Sequence, residues 1–535
     1  MLYICNFREV IIAGQNATIK TGRVLLSNIS ALSIEGLHFT GAGDESSSGY
    51  MYIISQILFD ITNCYLVGLK LLEACTLWIT RTVTVTIEQV LFVNNTSTDR
   101  ALIVEADNVY IEKSDFFSNS GGAANIESNQ TVINDSRFTS NTAAYGGAVE
   151  VDSVSVTISW CKFTNNIAQL NFGGAIITFG SSLFISNCAL LNNNAILDGG
   201  AIYSRGGSVS ISDSELAYNS AEKAGGAIFT FGSGLFISNC ALLSNSAIHD
   251  GGGAIHNIIS NQTVIKHSRF NSNTAIFGFG GAVEVDSASV TISLCNFTNN
   301  IAESAGAIST SESSLFISNC ALLNNNAILD GGAINIQGGS VSISDSELAY
   351  NSAGRSDGAI SVFTGELLIS DSKLTNNKAT SGGAIGLFAG DASILSCNIT
   401  DNEAVVDNGE TSLGGAILVY TGTISVSKIM FKNNSADFGG VFFVADGTVI
   451  ISDSVVTNNR ATQQDGVIAV VISILIITNT SIFDNLEGEN ILYVVHSNLS
   501  FTGVNNVSNN VNPVYALSSR VEFNGPTTLS NNRGV

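Results

Sequence analysis

The sequence predicts an all-β fold, a single-stranded right-handed parallel β-helix of the pectin-lyase-like kind, with about 20 coils of about 26 residues each. Three observations predict it. One short string recurs at a nearly constant step along the chain. A second string keeps phase with the first. Between them, apolar and small polar residues alternate with period two, the period of a strand and not of a helix.

The first string is Gly-Gly-Ala followed by Ile, Val or Ala. Its alanines are Ala123, Ala148, Ala175, Ala201, Ala227, Ala254 and Ala282, then Ala333, Ala384 and Ala416, with shortened forms at Ala307 and Ala359. Gly439-Gly440-Val441 and Gly466-Val467 continue it. Steps are 25 to 28 residues, except one of 32 between Ala384 and Ala416. The second string is a large apolar residue followed three positions later by Asn, as in Phe116–Asn119, Phe138–Asn141, Phe163–Asn166, Leu190–Asn193, Leu216–Asn219 and Phe297–Asn300. Five residues before each apolar residue stands an Ile: Ile111, Ile133, Ile158, Ile185, Ile211, Ile237, and so on through Ile394. After Val426 this column resumes at Ile451 and Ile477, and it runs backward through Ile87, Ile61 and Ile34.

A unit such as GGAIYSRGGSVSISDSELAYNSAEKA then reads as strand, Gly-rich turn, strand, tight bend, short strand and polar loop. Stacked in register, such units make a parallel β-helix, and crossover chirality makes it right-handed. At about 4.8 Å per coil the expected rod is of order 100 Å long. The Ile column is its core. The Gly pair supplies positive φ and close backbone approach at a corner, with Ala small enough to pass. The Asn column satisfies turn backbone groups through a side-chain ladder; a row of surface amides for ligand binding is the competing reading. The apolar run Val467 to Ile477, about half the length of a membrane-spanning helix, reads as a buried strand.

Residues 1–91 are expected to be divergent coils of the same helix, and 92–535 its regular repeats, in one continuous solenoid. Within the regular part, 136–227 return at 268–359, mostly offset by 132 residues, as a duplication of whole coils.

Composition fits this reading. Hydrophobic residues are 45% of the chain and charged residues 12%, which excludes disorder, and two prolines in 535 residues argue against a string of linked domains. The net charge of −23 argues against nucleic acid, whose binding needs clustered Lys and Arg. Spread over the coils, the 44 acidic residues amount to a thin solubilising coat. Nine cysteines are no disulfide scaffold. Seven of them, Cys64, Cys161, Cys188, Cys240, Cys295, Cys320 and Cys397, lie two residues before the apolar residue of the second string, where other coils carry Ser. A small interior side chain is expected there; the stacking distance also permits pairing of Cys161 with Cys188 or Cys295 with Cys320. No cysteine spacing resembles a zinc site. The opening MLYICNFREVIIAGQ has no basic leader, and the sequence opens within a strand at Tyr3–Phe7 and stops just past Asn532 without a polar cap, so a fragment of a longer rod is expected.

The alternation of Gly-Gly-Ala-[Ile/Leu/Val] with Phe-x-x-Asn resembles the repeat of the chlamydial polymorphic outer-membrane proteins, from about Phe92 to Asn532, with Leu in place of Phe in many coils. Each tetrapeptide is weak alone, and the phased recurrence is specific. The resemblance implies an extracellular β-helical passenger, an adhesin, exported as an autotransporter through a C-terminal barrel. This sequence contains neither that export signal nor the barrel.

β-helices also carry pectin-cleaving activity, so fold does not exclude catalysis. Three carboxylate pairs could do glycosidic acid–base work: Glu150 with Asp152, Glu284 with Asp286, and Asp213 with Glu215. The second duplicates the first, and alternate spacing on a strand also describes a solvated face. None of His38, His249, His256, His267 or His496 lies in a Ser-His-Gly string, and the Asn-Thr-Asp and Arg-Ile-Lys strings of polygalacturonases are missing. The segment Asp401 to Leu413, DNEAVVDNGETSL, is read as a bulging acidic loop and a candidate contact site. The expectation is a non-enzymatic, cell-surface or secreted adhesin-like rod, with no catalytic, cofactor-binding or metal residue nominated. Its partners would be host-cell or extracellular protein or glycan receptors, not nucleic acid, and it would meet a membrane only through a part outside this chain. The alternative is a polysaccharide-binding or polysaccharide-cleaving β-helix.

Overall fold

The computed structural model describes residues 2–5, 9–21, 23–41, 50–67, 69, 76–287, 289–406, 411–463, 466–485 and 490–533. Phe7, Cys75 and the middle of the acidic loop, 407–410, lie outside them. The chain is all-β, and its parallel strands stack as a β-solenoid of about 18 turns, about 26 residues apart. Its internal contacts define two compact units, Met1–Thr263 and Val264–Val535.

In the first unit, the coil that begins at Ala201 shows how the sequence builds a turn. Strands β1 (Ile202–Arg205), β2 (Ser208–Ser212), β3 (Glu215–Ala217) and β4 (Ser220–Ala221) follow one another. Each pairs in parallel with its counterpart in the next coil, so that Ile211 meets Ile237, Leu216 meets Leu242 and Ala221 meets Ala247. β4 lies in what the sequence presents as a polar loop. Two residues carry no readable period, yet the alanines Ala195, Ala221 and Ala247 are buried in register. In other coils the first two strands fuse, as in Val149–Ser159.

Two tight bends per coil use the left-handed region. One is at Trp160, Asn187, Asp213 and Asn239, with φ of 49 to 55°. The other precedes the ladder asparagine, at Asn165, Asn192, Tyr218 and Ser244. Asn tolerates this conformation better than other chiral residues, which explains the frequent Asn-Asn pair: the first turns the chain and the second enters the ladder. At the corner, Gly199 has φ 71°. A Cβ on Gly200 would lie 2.1 Å from the Gly226 carbonyl oxygen and 2.5 Å from that of Ser220. The first glycine turns the chain and the second lets neighbouring coils touch, as the sequence predicts.

The Ile column is buried throughout this unit, from Ile34 through Ile61, Ile87 and Ile111 to Ile237. Each such side chain contributes on the order of 1.5–3 kcal/mol by burial. Beside it Phe92, Phe116, Phe138 and Phe163 stack with ring centroids 4.5 to 4.8 Å apart.

The second unit repeats the plan. Ile317, Ile343, Ile369 and Ile394 stand in register and are buried. The run 467–477 is two strands, not one: Ile468–Val471 and Ile474–Thr478 are separated by a bend at Ile472, which is exposed with φ 53°. At the acidic loop, Asn402 stays in its ladder, Glu403–Ala404 keep their strand pairing, and Leu413 bridges to Ser381 and Phe438.

Candidate binding face

The Asn column is interior. In the first unit Asn166 Nδ2 donates to Phe138 O (2.9 Å) and to Asn193 Oδ1 (3.0 Å), while its own Oδ1 accepts from the backbone and side-chain nitrogens of Asn141, both at 3.1 Å. Asn95, Asn119, Asn193 and Asn219 repeat these bonds. In the second unit Asn273 through Asn510 do the same, and Asn325, Asn351, Asn402, Asn459 and Asn485 belong to the row although their apolar partners are Leu, Ile or Val. The surface-amide reading is therefore set aside: these side chains are buried and consumed by structure.

The Ser/Cys column is a second interior ladder. Ser136 Oγ accepts from Ser114 N and donates to Asn134 O. Cys161 Sγ likewise contacts Ser159 O at 3.1 Å, and the Cys161 N–H points to Cys188 Sγ at 3.4 Å. The seven cysteines of this column are buried free thiols, so neither inter-coil pair is bridged. Contact with Cys188 and burial both hold the Cys161 proton in place, and burial pushes Cys240 and Cys397 up to about 11. Thiolate is the reactive form. Cys240 and Cys397 should therefore resist a thiol reagent at pH 8 in the native protein and react within minutes once it is denatured in guanidinium. Rapid native labelling at these positions, read by mass spectrometry, would contradict their placement.

The carboxylate pairs divide between structure and solvent. Glu150 accepts from Arg100 at 2.6 Å, and the buried Arg100 also donates to the carbonyls of Gly146 and Tyr145. Asp152, Glu215 and Asp286 are exposed, and Asp213 accepts from Asn239. Among the described residues no three His, Cys, Asp or Glu side chains gather as a metal site. His38 lies against Tyr65 with the rings tilted and their centroids 4.3 Å apart; His267 and His496 occupy left-handed bends; His256 is half-buried, edge-on to Phe229, and desolvation lowers its pKa to about 4.

A feature that the motifs do not announce lies at the corner where each coil turns into its first strand. In the first unit Ile177, Tyr203, Phe229 and His256 occupy one register position on successive coils. Phe172 stacks on Tyr203 at 4.4 Å and Tyr203 on Phe229 at 5.3 Å, with Ala224 beneath and Phe231 and Ile258 alongside. Arg205 lies 5.4 Å from the Phe231 ring. Asp198 flanks this cluster, and burial raises its pKa to about 6.

In the second unit the same position carries Ser309, Asn335, Ser361 and Gly386. The duplicated sequence makes the contrast sharp. From Ser181 to Ile228 and from Ser313 to Ile360 the two copies are identical except for 203–205 (Tyr-Ser-Arg, against Asn-Ile-Gln at 335–337) and 222–225 (Glu-Lys-Ala-Gly, against Gly-Arg-Ser-Asp at 354–357). In the first unit those two stretches meet, since Tyr203 and Ala224 share one cluster. The signal was present in the sequence as the pattern of differences between copies, and only the fold brings the two stretches together.

The outward face of the main strands carries apolar residues at alternate coils. Phe184 and Phe236 flank Ser210 in the first unit, 45% and 37% exposed; Phe316 and Leu368 flank Ser342 in the second. Two coils set such side chains roughly 10 Å apart.

Fold and face together define the class: a parallel β-solenoid of repeated coils, with interior ladders and a patterned lateral surface. The chain matches no protein-family model and no curated protein.

Proposed function

We propose that this protein is a non-enzymatic, adhesin-like binding solenoid of the cell surface or extracellular space, akin to the polymorphic outer-membrane repeat proteins its motifs resemble. The observation that carries this reading is the outward apolar row, Phe184 and Phe236 with Ser210 between them. Exposed aromatic side chains repeated along one sheet face suit a broad, shallow contact with a protein or glycan, and exposed apolar surface of this kind marks interaction sites. The tie between Glu150 and Arg100 also favours binding over glycosidic catalysis, because it commits a carboxylate that an acid–base pair would need free.

Purified protein should bind saturably to cultured animal cells and release no new chain ends from a panel of acidic polysaccharides. Release of reducing or unsaturated ends would overturn the proposal in favour of a polysaccharide-cleaving β-helix.

A further inference from the structure

The outward row of the first unit has a definite spacing and a definite chemistry. Phe184 and Phe236 are both register partners of Ser210, so the two rings stand two coils apart, roughly 10 Å. The outward residues that flank them on the three strands are Ser182, Ser186, Ser208, Ser212, Gly234 and Ser238. A Cβ on Gly234 would lie 3.5 Å from Phe236 Cε2, so that ring leans along its strand over the glycine. The charged residues that bound the strip on its middle coil have partners of their own: Arg205 lies against the Phe231 ring, and Asp213 accepts from Asn239. In a chain of net charge −23 the strip is thus a run of hydroxyls and two phenyl rings without a charge. In the second unit Phe316 and Leu368 flank Ser342, and Glu366 stands beside Leu368 where Gly234 stands beside Phe236, so one ring is lost and a carboxylate enters.

These features select a ligand. Serine hydroxyls both donate and accept, as sugar hydroxyls do. A phenyl ring takes the apolar C–H face of a pyranose, and covering an uncharged strip desolvates no ion. Acidic glycans, by contrast, meet the repulsion of the overall negative charge. In an extended β-1,4-linked chain each sugar advances by about one coil spacing and is flipped relative to the one before, so the same face returns at every second sugar. Laid across the strands, such a chain brings like faces to Phe184 and Phe236 and sets the intervening sugar over Ser210. An α-1,4-linked chain curls and loses this match. An extended polypeptide repeats its side chains at about 7 Å, out of step with the two rings.

We propose, taking as given the binding role of this row, that the strip around Phe184, Ser210 and Phe236 holds an uncharged β-1,4-linked glycan chain laid along the stack of coils. The test is calorimetric titration of the full chain with cellohexaose and with chitohexaose, with maltohexaose as the α-linked control and cell binding measured on the same preparation. Two variants accompany the wild type: Phe236→Ser, and Phe236→Ser combined with Ser210→Phe, which keeps two rings but sets them on adjacent coils. Both change only outward side chains, and thermal melting checks that each is folded. The wild type should bind at least one of the β-linked hexasaccharides. Maltohexaose should bind about tenfold more weakly or worse, and both variants should lose about tenfold or more in affinity. Failure of the wild type to bind either β-linked hexasaccharide, equal binding of maltohexaose, or undiminished binding by the variant with adjacent rings overturns the proposal. Cell binding separates the two claims. If the wild type binds cells but neither β-linked hexasaccharide, the row recognises a protein and the glycan site alone fails; if it binds a hexasaccharide but no cells, the adhesin-like role fails and the glycan site stands.

Discussion

Asn166→Ala should lower unfolding stability by at least about 3 kcal/mol, whereas Asn165→Ala, one residue earlier, should cost about 1–2 kcal/mol. The ladder explains the difference. Asn166 is fully buried, and its removal strands Asn141 N–H and Phe138 C=O without these partners and takes one of two acceptors from the Asn141 side-chain amide, which keeps Phe116 O. Each buried orphan costs about 1–3 kcal/mol. Asn165 is exposed and serves only to hold φ at 57°, so alanine there meets the left-handed penalty alone. Urea denaturation of both variants, compared at the transition midpoint, checks the pair. Equal shifts would mean that the second Asn is no more structural than the first.

Gly200→Ala should have a still larger effect, at least about 4 kcal/mol, enough to prevent accumulation of folded protein. The new Cβ would press on the carbonyl oxygens of Gly226 and Ser220. Those atoms belong to backbone fixed by pairing along the stack, so no flexible side chain can yield. Gly206→Ala is the control, because its φ is also positive, at 75°, but the nearest atom to a Cβ there is 3.6 Å away. That substitution should cost about 1–2 kcal/mol, the strain of the conformation alone. Soluble yield and denaturation midpoint separate the two.

Much of this architecture can be read from the sequence because a solenoid converts sequence period into contact. Ile211 meets Ile237 and Asn193 meets Asn219 for the reason that each is one coil from the other. The Gly pair is legible for the same cause. Contacts that break the period are not. Arg100 reaches Glu150 across 50 residues, passing over the intervening coil, and nothing in either segment announces the partner. The Ser220–Ala221 strand is too short to carry a pattern. The corner cluster needs two stretches about 20 residues apart, 203–205 and 222–225, to be placed side by side. Alternation tells which side chains of a strand face outward, as with Phe184 and Phe236, but not that a preceding loop covers Tyr203.

The central claim is that inward columns carry the fold and leave the outward row free for contact. The double variant Phe184→Ser, Phe236→Ser tests it most directly, with cell binding and thermal melting measured on the same preparation. The account predicts melting unchanged within a degree or so and cell binding largely lost. Binding equal to that of the wild type, or a clearly lowered melting temperature, would contradict it.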